Sequence, residues 1–131
     1  MKKRNGNSGF TMVELAIVLV ILAILAAIAV PIYLQYVESA RAGEAQEAIA
    51  AVKSAAIVYH SETGMWVTQI AQLRKLKLEQ VTLERWNFSI TPGTNGIQTI
   101  RATSTGLMPG GAGKIVSLDV QRGKWSGYGF D

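Results

Sequence analysis

The chain's most distinctive pattern is a long apolar run near its N-terminus with one carboxylate at its edge. Every residue from 15 to 30 is apolar, and after Pro31 the run resumes as Ile32-Tyr33-Leu34. About 20 apolar residues in a helix span a bilayer, so this run predicts a membrane-spanning helix. Glu14 stands at its start, and an unpaired carboxylate in such a helix costs roughly 2.5–3.5 kcal/mol on insertion scales. We therefore expect Glu14 to have a partner.

Beyond the apolar run the pattern becomes that of an amphipathic helix. Apolar residues recur at the i, i+3/i+4, i+7 spacing of one buried face: Ala45, Ile49, Val52, Ala56 and Tyr59. Gly64 is the expected stop, because glycine readily ends helices. The sequence thus predicts one helix from about Phe10 to Glu62.

The rest of the chain predicts a short helix and then strands. Thr68 is the expected N-cap of the short helix. Alternating apolar and polar residues separated by turn residues predict strands at 85–90, 97–103, 114–120 and 125–128. The predicted fold is α+β: a long N-terminal helix packed against an antiparallel meander of three to four strands.

A short basic segment precedes the apolar run, but it does not have the order of an ordinary secretion signal. Lys2, Lys3 and Arg4 come first, and the small residue Gly9 stands before the apolar residues, with no A-x-A-like cleavage site after them. Removal of residues 1–9 would therefore leave the apolar segment on the mature protein. The positive-inside rule places the residues after Leu34 on the far side of the membrane.

The run Gly9-Phe10-Thr11-Met12-Val13-Glu14-Leu15, after a basic leader, resembles the class III signal of type IV pilins and of the pseudopilins of type II secretion. The resemblance implies that a prepilin peptidase cleaves after Gly9 and N-methylates Phe10. It implies that Glu14 pairs with the N-terminal amine of a neighbouring subunit. Pro31 matches a proline that the family often has in this helix, where it would allow a kink.

The resemblance also implies an organisation and a set of partners. Residues 1–9 would be a cleaved leader, 10–36 the transmembrane and assembly half of the helix, and 37–131 a periplasmic or extracellular α+β domain. The subunit would be a single-pass inner-membrane protein with a periplasmic C-terminal domain, and part of an extracellular filament once assembled. Its partners would be copies of itself in a helical filament, the peptidase/N-methyltransferase, an inner-membrane platform protein and, indirectly, an assembly ATPase.

Two of these residues also have simpler interpretations. Thr11 and Glu14 have the Ser/Thr-x-x-Glu spacing of a capping box, which satisfies free backbone N–H groups at a helix start. Pro31 removes one backbone hydrogen bond and bends any helix, and neighbouring helices in a membrane tolerate this. The capping and pairing roles of Glu14 can coexist.

Composition narrows the function classes. The chain has 131 residues, which predicts one domain, and no cysteine, which favours the cysteine-free pilins and the pseudopilins over disulfide-closed pilins. Of its 13 Lys and Arg residues three lie in the leader, leaving ten against nine acidic residues, so a general nucleic-acid surface is not expected. DNA contact by one cluster remains a minor hypothesis: Lys114, Arg122, Lys124, Trp125 and Tyr128.

The residues that catalysis needs are scarce. The chain has one histidine, His60, and no phosphate-binding glycine loop or metal-spaced cluster, so we predict no enzyme activity and no catalytic, cofactor or metal site. The predicted function is a structural subunit of a type IV pilus or pilus-like filament. The alternatives are a pseudopilin of a type II secretion system and a single-span membrane-anchored binding protein.

Overall fold

The structure, a computed structural model, describes residue 6 and residues 8–130. The basic residues of the predicted leader, Lys2, Lys3 and Arg4, lie outside the described residues. The chain forms two compact units, Met1–Gln35 and Tyr36–Asp131. The division into leader, membrane half and globular domain stays a prediction.

The elements follow the predicted order. Helix α1 spans Met12–Thr63, a single 3-10 turn spans Ile70–Gln72, and helix α2 spans Gln80–Arg85. The strands are β1 (Trp86–Gly93), β2 (Gly96–Ser104), β3 (Ile115–Asp119) and β4 (Lys124–Gly127). The α+β prediction is confirmed.

The first half of α1 exposes its apolar side chains. It contains an 18-residue window of mean hydropathy 3.2 of which no part is buried, so the helix is long and apolar enough to cross a membrane. Large apolar side chains such as Ile17, Ile24 and Leu34 are all more than half exposed. A helix that is apolar all round needs either lipid or other helices around it.

The second half of α1 provides one wall of the core. The predicted buried face is confirmed at Ala45, Ile49, Val52 and Ala56, and Ala42 extends it, whereas Tyr59 is half-buried at the margin. The helix ends as predicted. Gly64 has φ +73° and its N–H donates to the carbonyl of His60 at 2.8 Å, which satisfies one of the last free carbonyls.

The sheet is a four-stranded antiparallel meander in the order β1-β2-β3-β4. Ile90 lies opposite Ile100, Ile100 opposite Leu118, and Leu118 opposite Trp125, so these residues share the face that packs on α1. Alternate residues face outward and are mostly polar. β1 runs three residues further than predicted, because Thr94-Asn95 makes a two-residue turn and the strand pairs up to Gly93 opposite Gly96.

Two local predictions were incomplete or wrong. Thr68 is not an N-cap: the cap residue is Gln69, and the Oε1 atom of Gln72 accepts the N–H groups of Thr68 at 2.9 Å and Gln69 at 3.1 Å. The predicted short helix is therefore a single 3-10 turn. The sequence analysis also missed α2, whose N-cap Glu79 makes no side-chain cap bond. Contacts with α1, described below, position α2 instead.

Candidate functional site in the N-terminal segment

The first turn of α1 is closed by a capping box. The N–H of Thr11 donates to Oε2 of Glu14 at 3.2 Å, and the N–H of Glu14 donates to Oγ1 of Thr11 at 3.2 Å. These reciprocal bonds satisfy two backbone donors that would otherwise lack partners, which confirms the capping interpretation. The arrangement fixes the Glu14 carboxylate at the positive end of the helix dipole.

The carboxylate of Glu14 retains acceptor capacity. Among the described residues, its Oε1 receives no hydrogen bond, and no cationic side chain lies within 4.0 Å of either oxygen. A carboxylate accepts about four hydrogen bonds, so the capping bond uses only part of its capacity. Glu14 can therefore hold its own helix start and bind a second donor at the same time.

The Gly9–Phe10 peptide bond lies just outside the helix. Both residues are exposed and non-helical, and Phe10 is 82% exposed. A Cβ placed on Gly9 would meet no atom of the described residues within 4 Å. The fold therefore leaves this bond open to an enzyme, and any preference for glycine here comes from that enzyme rather than from packing within the chain.

Pro31 lies inside α1, with helix on both sides of it. Its ring removes one backbone donor from the helix, and in a membrane helix neighbouring residues can compensate for that loss. A kink at Pro31 stays a prediction.

The residues of the minor DNA hypothesis come together only in part. Lys114 lies over the ring of Tyr128 at 5.6 Å, and Arg122 pairs with Asp119 at 3.9 Å. Trp125, however, is half-buried, stacks on Phe130 and packs against the core, so it is not available to stack on a base.

The second unit has a groove that the sequence analysis missed. The groove lies between α1 and residues 77–85, and Glu44, Glu47 and Glu79 line it together with Lys77 and Arg85. Oε2 of Glu44 pairs with Nη1 of Arg85 at 3.4 Å, and Oε1 of Glu44 lies 3.3 Å from Oγ1 of Thr82. These contacts join residues about 40 positions apart, so no local pattern reveals them. We call this surface the acidic groove.

The remaining titratable residues do not form a metal centre in the part of the chain that the structure describes. No group of three or more His, Asp or Glu side chains there could hold a metal ion. His60 stacks on Trp66, with ring centroids 3.9 Å apart and planes 5° from parallel. His60 is half-buried near the end of α1.

Comparison with known proteins bears on the N-terminal segment. Residues 4–30 match the family model described as the prokaryotic N-terminal methylation motif. The match covers the exposed Gly9–Phe10 bond, the capping box and α1 from Met12 to Val30. No curated protein shows significant sequence similarity to the chain.

Proposed function

Because the chain carries the class III prepilin signal of type IV pilins and pseudopilins, we propose that it is a structural subunit of a type IV pilus or a pilus-like filament. The observation that supports this best is that the signal leads directly into a helix whose apolar side chains are exposed on all sides. Such a helix is stable in a membrane before assembly and among copies of itself afterwards. Residues 37–131 then lie in the periplasm, and outside the cell once the filament forms.

Processing is the first step of the proposed mechanism. A prepilin peptidase cleaves the exposed bond between Gly9 and Phe10 and methylates the new amine of Phe10. The capping box survives cleavage, because the N–H of Thr11 is an amide that follows the cut bond. The mature helix therefore begins with its first turn already closed.

Glu14 is the proposed assembly contact. The methylated amine of Phe10 stays basic and keeps N–H donors, and the Glu14 carboxylate of a neighbouring subunit has free acceptor capacity. Attraction between opposite charges is much stronger in a low-dielectric surrounding than in water. An unpaired Glu14 among apolar helices is costly, so the correctly registered position of an incoming subunit is favoured over its alternatives.

The other proposed partners move each subunit from the membrane into the filament. A cytoplasmic assembly ATPase, acting through an inner-membrane platform protein, extracts each subunit from the membrane. Pro31 offers a point where the helix can bend as it packs. The apolar residues of the first half of α1 supply most of the cohesion between subunits.

Replacement of Glu14 by Gln separates its two roles. Glu14→Gln keeps a side-chain oxygen for the capping box but removes the charge, whereas Glu14→Ala removes both. We expect both variants to be cleaved and to reach the membrane, and neither to form filaments. Mass spectrometry of membranes and electron microscopy of sheared material measure these outcomes. Normal filament yield from Glu14→Gln would show that capping alone is sufficient and would refute the pairing role.

A pseudopilin of a type II secretion system would use the same processing and pairing steps. The absence of cysteine fits that alternative equally well. A neighbouring gene for a secretion channel favours the pseudopilin, and a neighbouring gene for a retraction ATPase favours the pilus. An uncleaved Gly9–Phe10 bond in cells would instead favour a membrane-anchored binding protein.

A further inference from the structure

The second unit carries an excess of negative charge along the acidic groove. Glu44, Glu47 and Glu79 line the groove and Glu84 lies on the adjacent α2, against the two basic residues Lys77 and Arg85. Glu44 is already paired with Arg85. Glu47, Glu79 and Glu84 are exposed and make no ion pair with any described residue. They can therefore attract a basic surface from outside.

A surface of opposite charge lies at the end of the sheet formed by β3 and β4. Arg122 and Lys124 are exposed there, in and beside the turn that joins the two strands, whereas Lys114 lies at the other end of β3. Asp119 is the one acidic residue among the described residues from 114 to 128. Asp119 pairs with Arg122, whose side chain is nevertheless 82% exposed. β4 is the last strand of the sheet, so its outer edge has no neighbouring strand among the residues that the structure describes. We call Arg122, Lys124 and β4 the basic edge.

The acidic groove and the segment that follows β4 contact α1 on different sides. After β4 the chain returns to the helix, where Gly129 approaches Ala42 so closely that an added Cβ would overlap the Ala42 side chain. Glu44 follows Ala42 by two residues. At roughly 100° per residue the two positions are about 200° apart around the helix axis, which is about 160° by the shorter way. One surface of a copy can therefore face the other surface of the next copy without a change in fold.

The floor of the acidic groove contains a glycine that the single chain does not require. Gly43 lies within α1 and lines the groove, and a Cβ there would meet no atom within 4 Å. Glycine inside a helix costs up to about 1 kcal/mol relative to alanine. Because glycine has no side chain, the backbone of a partner can approach the helix closely at this position.

We propose that the acidic groove of one copy docks the basic edge of the next copy in the filament. The partner is thus a second copy of this chain, and the proposal rests on the filament function proposed above. A contact between two different surfaces of the same molecule does not close on itself, so it repeats into an open helical array. Each exposed ion pair contributes little free energy, so the charges act mainly by selecting the register of neighbours.

Cross-linking tests the contact without removing its charges. The chain has no native cysteine, so a thiol reagent reacts only with the cysteines that are introduced. The double variant Ala40→Cys/Ser126→Cys places one thiol in the groove and one on β4, at exposed positions. Sheared filaments of the full-length protein are treated with a bifunctional maleimide and separated by denaturing electrophoresis. We expect a ladder of dimers, trimers and larger species, because each copy links to two neighbours.

The matched control is Ala40→Cys/Ala71→Cys. Ala71 is exposed and lines a second groove along the same stripe of α1 as the acidic groove, so the proposed contact does not bring it near Ala40 of another copy. We expect no ladder from this control. Filaments that assemble normally but give no ladder from Ala40→Cys/Ser126→Cys would overturn the docking proposal alone. A wild-type protein that is processed but never forms filaments would instead contradict the filament function.

Charge reversal gives an independent readout. We expect Glu47→Lys/Glu79→Lys to lower the yield of filaments while its processed protein accumulates in the membrane, and we expect the added changes Arg122→Glu/Lys124→Glu to restore the yield. If the variant with all four changes is stably folded but its filaments are not restored, the proposal is contradicted. A different outcome would assign the basic edge to nucleic acid instead. In that case the wild-type protein is retained on DNA, Arg122→Glu/Lys124→Glu is not retained, and the variant still forms filaments.

Discussion

Glu14 combines two physical demands in one side chain. Its Oε2 caps the first turn of α1 through Thr11, and its Oε1, which accepts no hydrogen bond from any described residue, leaves room for a cationic partner. A residue needed only for capping could equally be glutamine, because a side-chain oxygen is sufficient for a capping box. The proposed pairing role is what requires a charge, and this is why Glu14→Gln is more informative than Glu14→Ala.

Gly129 lies where the chain packs against α1 after β4. Its φ is +80°, and an added Cβ would overlap the side chain of Ala42. Nearby, Phe130 stacks on Trp125 with ring centroids 5.9 Å apart. The chain has no cysteine, so packing rather than a disulfide holds this end of the sheet against α1.

Gly129→Ala should therefore cost more stability than a matched change at Gly123. Gly123 also has positive φ, but a Cβ there would meet no atom within 4 Å. We expect Gly123→Ala to lower the free energy of unfolding by about 1–2 kcal/mol from backbone strain alone. Gly129→Ala should lose about 1–3 kcal/mol more from the overlap. Urea unfolding of the full-length protein in detergent, followed by tryptophan fluorescence, measures both, and equal losses would contradict the close packing.

At the scale of elements, the helix and the strands whose sequences show strong periodicity or capping residues were predictable. The buried positions of α1 repeat at helical spacing, and Gly64 marks its end. Apolar and polar residues alternate along the four strands, and turn residues separate one strand from the next. The 3-10 turn was predicted as a short helix with the wrong cap, because the side chain of Gln72, rather than that of Thr68, closes it. Helix α2 was not predictable, because Glu44 of α1 positions it from about 40 residues away and such a contact leaves no local pattern.

Two glycines associated with α1 should respond oppositely to the same substitution. Gly43 lies inside the helix with open space around it, whereas Gly64 ends the helix at φ +73°. We expect Gly43→Ala to raise the free energy of unfolding by up to about 1 kcal/mol, because alanine is the better helix former. Gly64→Ala should lower it by about 1–2 kcal/mol, since alanine disfavours the left-handed conformation. The same urea unfolding measures both, and a loss from Gly43→Ala would show that the space around Gly43 is not open.

At the scale of the whole molecule, the candidate site divides into a part that the sequence reveals and a part that it does not. Gly9, Phe10 and Glu14 lie in one contiguous run, so their pattern is visible without a fold. The basic residues Arg122 and Lys124 are also close in sequence, but the acidic groove exists only after the chain has folded, because Glu44 and Arg85 are 41 residues apart. Sequence therefore points to how the subunit is processed, and the folded surfaces point to how copies recognise one another.

The most direct test of the filament account is intact mass spectrometry of the protein in two fractions, filaments sheared from cells and the inner membrane. We expect the sheared protein to lack residues 1–9 and to carry one added methyl group on Phe10. The membrane fraction should contain the same processed mass as the pool for assembly. An uncleaved mass in both fractions would contradict the account, because the subunit could then neither expose the Phe10 amine nor pair it with Glu14.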